Sequence, residues 1–353
     1  MPVTGLLWIR RAGLGVCALL LCAARPAAAD DTLSLVLGGK TPSLMNTLNL
    51  VAEGAGFYKE EHLKVTLTLE KGSPEATRAC SDGRFDICPI GIEPLITRYA
   101  QGERLKMFLS RAVKFTYVFG VLQDSPITRL ADFKGKAIGV HSQTGASAIL
   151  ATESALAASG LTPSDHMLVT IGKEDEAIAA LSSGKVAGAA LPYYEFIPYI
   201  VAGRNLRFIP HPTLGDVTNS GYAASPKVMA AKREPIRRFS RAIVKSSLLI
   251  RYNPQAAARA WLRAQGSPFT EADVQRKTAE LDAWEPYLPA ANPEDRRIGA
   301  VTETGIQTYI DVIRAAGVTK DPPRASEVVS GDFVEYANDF DRAAFEKRAK
   351  AMR

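Results

Sequence analysis

Apolar and polar positions follow two rhythms along the chain. Leu33 to Leu37 is a short apolar run closed by Gly38-Gly39, and from Pro42 onward Leu44, Leu48 and Val51 recur at helical spacing. Lys64 to Glu70 then places Val65, Leu67 and Leu69 at every second position, the period of a strand with one buried face. Strand, helix and strand in that order predict a right-handed crossover and parallel pairing. The pattern returns: a helix from Pro74 leads into a strand over Phe85 to Ile90, and further strands are expected over Ala137 to Val140 and Val186 to Leu191. The expected fold class is α/β.

A weak repeat divides this pattern in two. Ser81-Asp82-Gly83-Arg84-Phe85-Asp86 and Ser182-Ser183-Gly184-Lys185-Val186-Ala187 each follow a helix. In both, a glycine stops the helix and a basic residue leads into a strand. The offset, from position 81 to position 182, is 101 residues, which predicts two similar lobes.

Ahead of the first strand, Arg10-Arg11 precede an apolar run from Ala12 to Ala24, followed by Arg25-Pro26 and Ala27-Ala28-Ala29. This is the layout of a secretory signal peptide over residues 1–29, with cleavage after Ala29 and a periplasmic location. The run is shorter than the ~20 apolar residues that span a bilayer. Val16 and Leu21 stand before Cys17 and Cys22, where lipid attachment wants a small residue. The paired arginines leave general and twin-arginine export both open.

Charge adds an exclusion. The formal net charge of +6 includes Arg10, Arg11 and Arg25 from the first 29 residues, which hold no acid, so +3 remains without them. No basic stripe with interleaved aromatics follows, and a nucleic-acid partner is not expected. With 353 residues, 46% hydrophobic and 23% charged, the chain has ordinary globular composition and room for two domains.

Three segments carry a family resemblance. Gly56-Phe57-Tyr58-Lys59-Glu60-Glu61-His62-Leu63-Lys64-Val65, Gly83-Arg84-Phe85-Asp86-Ile87, and Asp124-Ser125-Pro126-Ile127 with Leu130 to Val140 resemble substrate-binding proteins of ABC importers. Within that class they are similar to the nitrate, sulfonate, taurine and thiamine-precursor branch. Ala187-Gly188 and Tyr193-Tyr194 depart from the branch's usual residues. The resemblance implies a periplasmic-binding-protein-like fold: two lobes with mixed sheets, joined by a hinge of two crossings near Val118 to Leu122 and Gly221 to Ala224. Lobe one would take residues 30–120 and 222–353, with the C-terminal helices packed on it, and lobe two residues 121–221. It further implies a small polar or anionic organic ligand, an importer permease in the membrane as partner, a monomer and no cofactor. Two alternatives remain open: a ligand-presenting subunit for a membrane sensor, and a secreted enzyme using the same cleft.

In open α/β sheets ligands lie beyond the carboxyl ends of the strands, which selects the candidate site residues. Gly39, Lys40 and Thr41 follow the first strand and offer backbone N–H groups, a cation and a hydroxyl. Ser73 is placed as a helix cap at a strand-to-helix turn. Gly91, Ile92 and Glu93 follow the strand ending at Ile90, with Glu93 as an acceptor. Ser142, Thr144 and Gly145 open an alanine-rich helix, where aligned backbone dipoles suit an anion. Tyr193, Tyr194 and Glu195 follow the strand ending at Leu191, with core packing expected for at least one tyrosine. His62, His141, His166 and His211 show no metal-binding spacing, so no metal site is expected. Neither a GxSxG elbow nor a Walker loop is present. Cys80, in the last turn of a helix, and Cys88, in the strand that follows, are expected to face one helix-sheet interface, where they either form a disulfide in an oxidising compartment or stay as two buried free thiols.

Overall fold

The computed structural model describes Met1 and residues 30–38, 43–70, 73–141, 146–172, 175–291 and 296–353. The expected signal peptide, apart from Met1, lies outside the described residues, as do Gly39, Lys40, Thr41, Ser142, Thr144 and Gly145.

β1 (Asp31–Gly38) and β2 (Leu63–Glu70) pair in parallel, with Leu33 opposite Val65 and Leu35 opposite Leu67. β3 (Cys88–Gly91) and β4 (Lys106–Ala112) flank β10 (Ser220–Ala224), which runs antiparallel to both. A bridge between Leu35 and Ile87 joins these groups, so the first sheet reads β2-β1-β3-β10-β4. The strand expected from Phe85 starts later because Asp86 is otherwise engaged. It accepts from the Ser34 backbone N–H at 2.8 Å and hydroxyl at 2.9 Å, and pairs with Lys232 at 2.8 Å.

The second sheet has the order β7-β6-β8-β5-β9. Its strands are β5 (Tyr117–Leu122), β6 (Lys136–Val140), β7 (His166–Thr170), β8 (Gly188–Pro192) and β9 (Leu206–Pro210). In both sheets the parallel strand that comes first in the chain lies second and an antiparallel strand lies fourth. The sequence repeat is visible in that correspondence. Gly83 and Gly184, at φ 75° and 73°, end the helices Ser73–Ser81 and Asp175–Ser182 in the left-handed region that glycine enters without steric cost.

The chain passes between the sheets twice, over residues 113–116 and 211–219. The passages pack on one another: the buried His211 ring meets Phe115 edge-on at 5.4 Å. His211 Nδ1 accepts from the backbone N–H groups of Thr213 and Leu214, both at 3.1 Å, and its Nε2 lies 3.0 Å from the Ser154 hydroxyl. Burial pulls this imidazole down to about 4. The folded protein therefore holds His211 neutral at a pH where the unfolded chain protonates it. Its contribution is present above about pH 6.5 and is lost as pH falls toward 4, with a slope of up to about 1.4 kcal/mol per pH unit. His211→Asn keeps an acceptor for the two N–H groups, so urea unfolding between pH 7 and 4 should show a flatter pH dependence than wild type. Parallel curves would exclude His211 as the source.

The long helix Arg233–Tyr252 packs its Phe239, Ile243 and Leu249 into one core with Leu33, Leu35, Leu48 and Val51 of the first sheet and its neighbouring helix. The C-terminal helices also reach the second sheet. Trp284 and Tyr287 stack at 5.0 Å, Tyr287 stacks on Tyr193 at 4.6 Å, and Trp284 meets Tyr194 edge-on at 5.9 Å. Cys80 and Cys88 are free thiols, both buried in the core that holds Val36 and Ile90. They lie in hydrogen-bond contact, and burial followed by this neighbour pushes the Cys80 thiol up.

Candidate functional site

The carboxyl ends of β3, β4 and β8 point toward a cavity of about 230 Å³ between the two sheets. Ser43, Met45 and Asn46, after β1, form one wall. Gly91, Ile92 and Glu93 form the next, where β3 turns into the helix Ile92–Ala100. Arg111 enters from the end of β4, Tyr117 from the start of β5, Tyr194 from the end of β8, and Ser220 from β10. Ser147, in the first turn of the helix Ala146–Ala158, and Tyr309, on the helix Glu303–Ala315, complete the enclosure.

Arg111 sets the electrostatics. Its Nε is buried without a hydrogen-bond partner, and among the described residues no carboxylate lies within ion-pair distance of it. Burial lowers the pKa of this guanidinium from its ordinary value, against the opposing influence of Tyr222, Tyr194 and Cys88. An arginine stays charged in proteins all the same. The Ser220 hydroxyl is likewise buried and unpartnered. A buried charge without a counter-charge costs several kcal/mol, and an anion in the cavity would offset that cost.

Phenols surround the cation. Burial first, then the carboxylates of Glu195 and Glu93, raises Tyr117. Tyr194 rises through burial, Glu195 and Tyr117, with Arg111 opposing. Both remain protonated donors at neutral pH. Glu93 is itself buried and spans the gap between the sheets, accepting a short hydrogen bond from Ser147 and a longer one from Thr97 at 3.4 Å. His141, at the end of β6, and Glu195 are in direct contact with one another beside this cavity.

Of the residues singled out in the sequence, Gly91, Ile92, Glu93 and Tyr194 come together here. Tyr193 instead stacks on Tyr287 and meets Phe208 at 5.1 Å, and Glu195 is occupied by His141. Ser73 opens its helix. Arg111, Tyr117, Ser220 and Tyr309 were not anticipated. Arg111 had a signal: it is the one charge near the carboxyl end of β4 (Lys106–Ala112), after the apolar run Met107-Phe108-Leu109. Larger open grooves of about 680 and 750 Å³ lie behind the two passages and along the helix Arg233–Tyr252. The smaller cavity is the candidate because Arg111, unpaired among the described residues, lines it at strand carboxyl ends.

The family model described as NMT1/THI5 like matches residues 46–257, well over half of the chain and both sheets. The chain belongs to the NMT1/THI5-like family. No curated protein matches it. Among solved structures, this family member is similar to the alkanesulfonate-binding protein SsuA from Xanthomonas axonopodis pv. citri, a structure bound to MOPS. The two share 19% identity over 86% of this chain and 99% of that one, with a TM-score of 0.61. The periplasmic aliphatic sulphonate binding protein SsuA from Escherichia coli matches at 19% identity, 85% and 92% coverage and a TM-score of 0.62. The desulfurization enzyme DszB matches at 17% identity, 87% and 98% coverage and a TM-score of 0.56. The NMT1/THI5-like chain thus has the periplasmic-binding-protein fold, an architecture it shares with binding proteins and with an enzyme.

Proposed function

We propose that this NMT1/THI5-like protein is an exported, monomeric solute-binding protein that holds a small anionic organic molecule between its two sheets and delivers it to an ABC importer in the membrane. The observation that carries the reading is Arg111: a guanidinium facing the cavity, with phenol and hydroxyl donors around it and, among the described residues, no carboxylate within ion-pair distance. Ser43 and Ser147 line the cavity. The proposal assigns further solute contacts to Gly39, Lys40, Thr41, Ser142, Thr144 and Gly145, which lie outside the described residues. Two passages between the sheets make a hinge, and a solute touching both sides favours the closed form to the extent that those contacts are absent in the open one.

A thermal-shift and calorimetry panel of alkanesulfonates, nitrate, aromatic carboxylates and pyrimidines tests the reading. A binder at 100 times its Kd should add about 2.7 kcal/mol of stability and reduce the radius of gyration in solution scattering. Failure of every anion to raise the melting temperature would overturn it, and conversion of a panel compound to product would favour the enzyme alternative. Export through an oxidising compartment also implies closure of the Cys80 and Cys88 pair, worth about 2–3 kcal/mol for so short a loop. Protein from the periplasm, denatured without reductant, should then titrate no thiol at positions 80 and 88; two free thiols would contradict the bond.

A further inference from the structure

The cavity has a second polar end, part of it supplied from outside the family-matched segment. Tyr309 lies beyond residue 257, on the helix Glu303–Ala315, whose Ile306, Ile310 and Ile313 are buried. Its side chain is 3% exposed, and its ring packs against Phe115 of the first passage at 5.8 Å. The residue lines the cavity, and its hydroxyl donates to no described group. Burial and the Glu93 carboxylate keep it protonated. Glu93 is correspondingly half used among the described residues: one oxygen takes the Ser147 hydroxyl, and the other has the 3.4 Å contact from Thr97. Arg111 feels Tyr222 and Tyr194, whereas Tyr309 feels Glu93 and Tyr117, and no ion pair joins Glu93 to Arg111.

We propose that Glu93 and Tyr309 form a second recognition pole, which reads a hydroxyl or neutral amide at the end of the solute opposite its anion. This rests on the reading of Arg111 as the anion's partner. A group that both donates and accepts satisfies the free Glu93 oxygen and the Tyr309 O–H together; a methyl group leaves both buried and unpaired, and such mismatches are strongly rejected. A cavity of about 230 Å³ has room for about eight waters, which sets the scale of the solute at a short-chain acid. Tyr309 is then a specificity-determining residue added to the family site by a C-terminal helix.

The test compares two pairs of probes by calorimetry: ethanesulfonate with 2-hydroxyethanesulfonate, and propanesulfonate with 3-hydroxypropanesulfonate. On the wild-type protein the hydroxylated member of at least one pair should bind about tenfold or more tightly than its methyl-terminated partner. Tyr309→Phe should lower that ratio severalfold toward one, by weakening the hydroxylated probe and by relieving the unpaired phenol that the methyl-terminated probe leaves behind, with the apo melting temperature read alongside to report any change in the fold. Glu93→Gln, which keeps the shape, should also reduce the ratio. Equal affinities within both pairs, or a ratio that survives Tyr309→Phe, would overturn the second pole and leave anion binding standing. If none of the four probes binds the wild type, the anion reading falls and this inference with it.

Discussion

Arg111→Met weakens binding of the anionic solute by about thirtyfold to several thousandfold, and leaves the unliganded protein at least as stable as wild type. The two effects share one cause. Removing one partner of a buried, hydrogen-bonded charge pair costs about 2–5 kcal/mol of affinity. Among the described residues the guanidinium has no such partner, and its Nε is buried without a hydrogen bond, so a methionine of similar length removes a desolvated charge and keeps the packing. Calorimetry with the tightest probe, set beside apo melting temperature, reads both. A variant that binds normally would remove Arg111 from the site. A marked drop in apo stability with unchanged affinity would assign it a structural role.

Trp284→Ala destabilises the protein by about 3–5 kcal/mol, the range for deleting a large buried aromatic side chain. Trp284 is 1% exposed and lies at the junction where the C-terminal helices meet the second sheet, stacked on Tyr287 and edge-on to Tyr194. Its loss leaves a cavity and also frees Tyr194, which lines the solute cavity, so affinity should fall as well, by less than stability. Urea unfolding with the slope held under scrutiny measures the first effect. A loss under 1 kcal/mol would mean that the aromatic stack is dispensable to the fold.

Much of the architecture was legible because it rests on local patterning. The alternation over Lys64 to Glu70 marks β2 over Leu63–Glu70, and the glycines at 83 and 184 both adopt the left-handed conformation that ends a helix. Those signals depend on a few neighbouring residues, so one chain suffices to read them. The strand expected from Phe85 was legible only in part. Asp86 is drawn out of the pattern by Ser34 and Lys232, partners 52 and 146 positions away.

The site divides along the same line. Gly91, Ile92, Glu93 and Tyr194 follow strands, and strand ends can be found from periodicity. Tyr193 and Tyr194 are chain neighbours with the same chemistry, yet one stacks on Tyr287 and the other faces the cavity; which does which depends on where the C-terminal helix arrives. Tyr309 occupies the apolar face of its helix together with Ile306, Ile310 and Ile313, so its spacing is that of a core residue. The sequence by itself determined the strand and helix units, their α/β order, the repeat and the turns, because these follow from side-chain periodicity and backbone preference over a few residues. Tertiary structure alone decided which polar groups share a cavity and that Arg111 has no ion-pair partner among the described residues, because burial and charge pairing depend on segments brought together from distant parts of the chain.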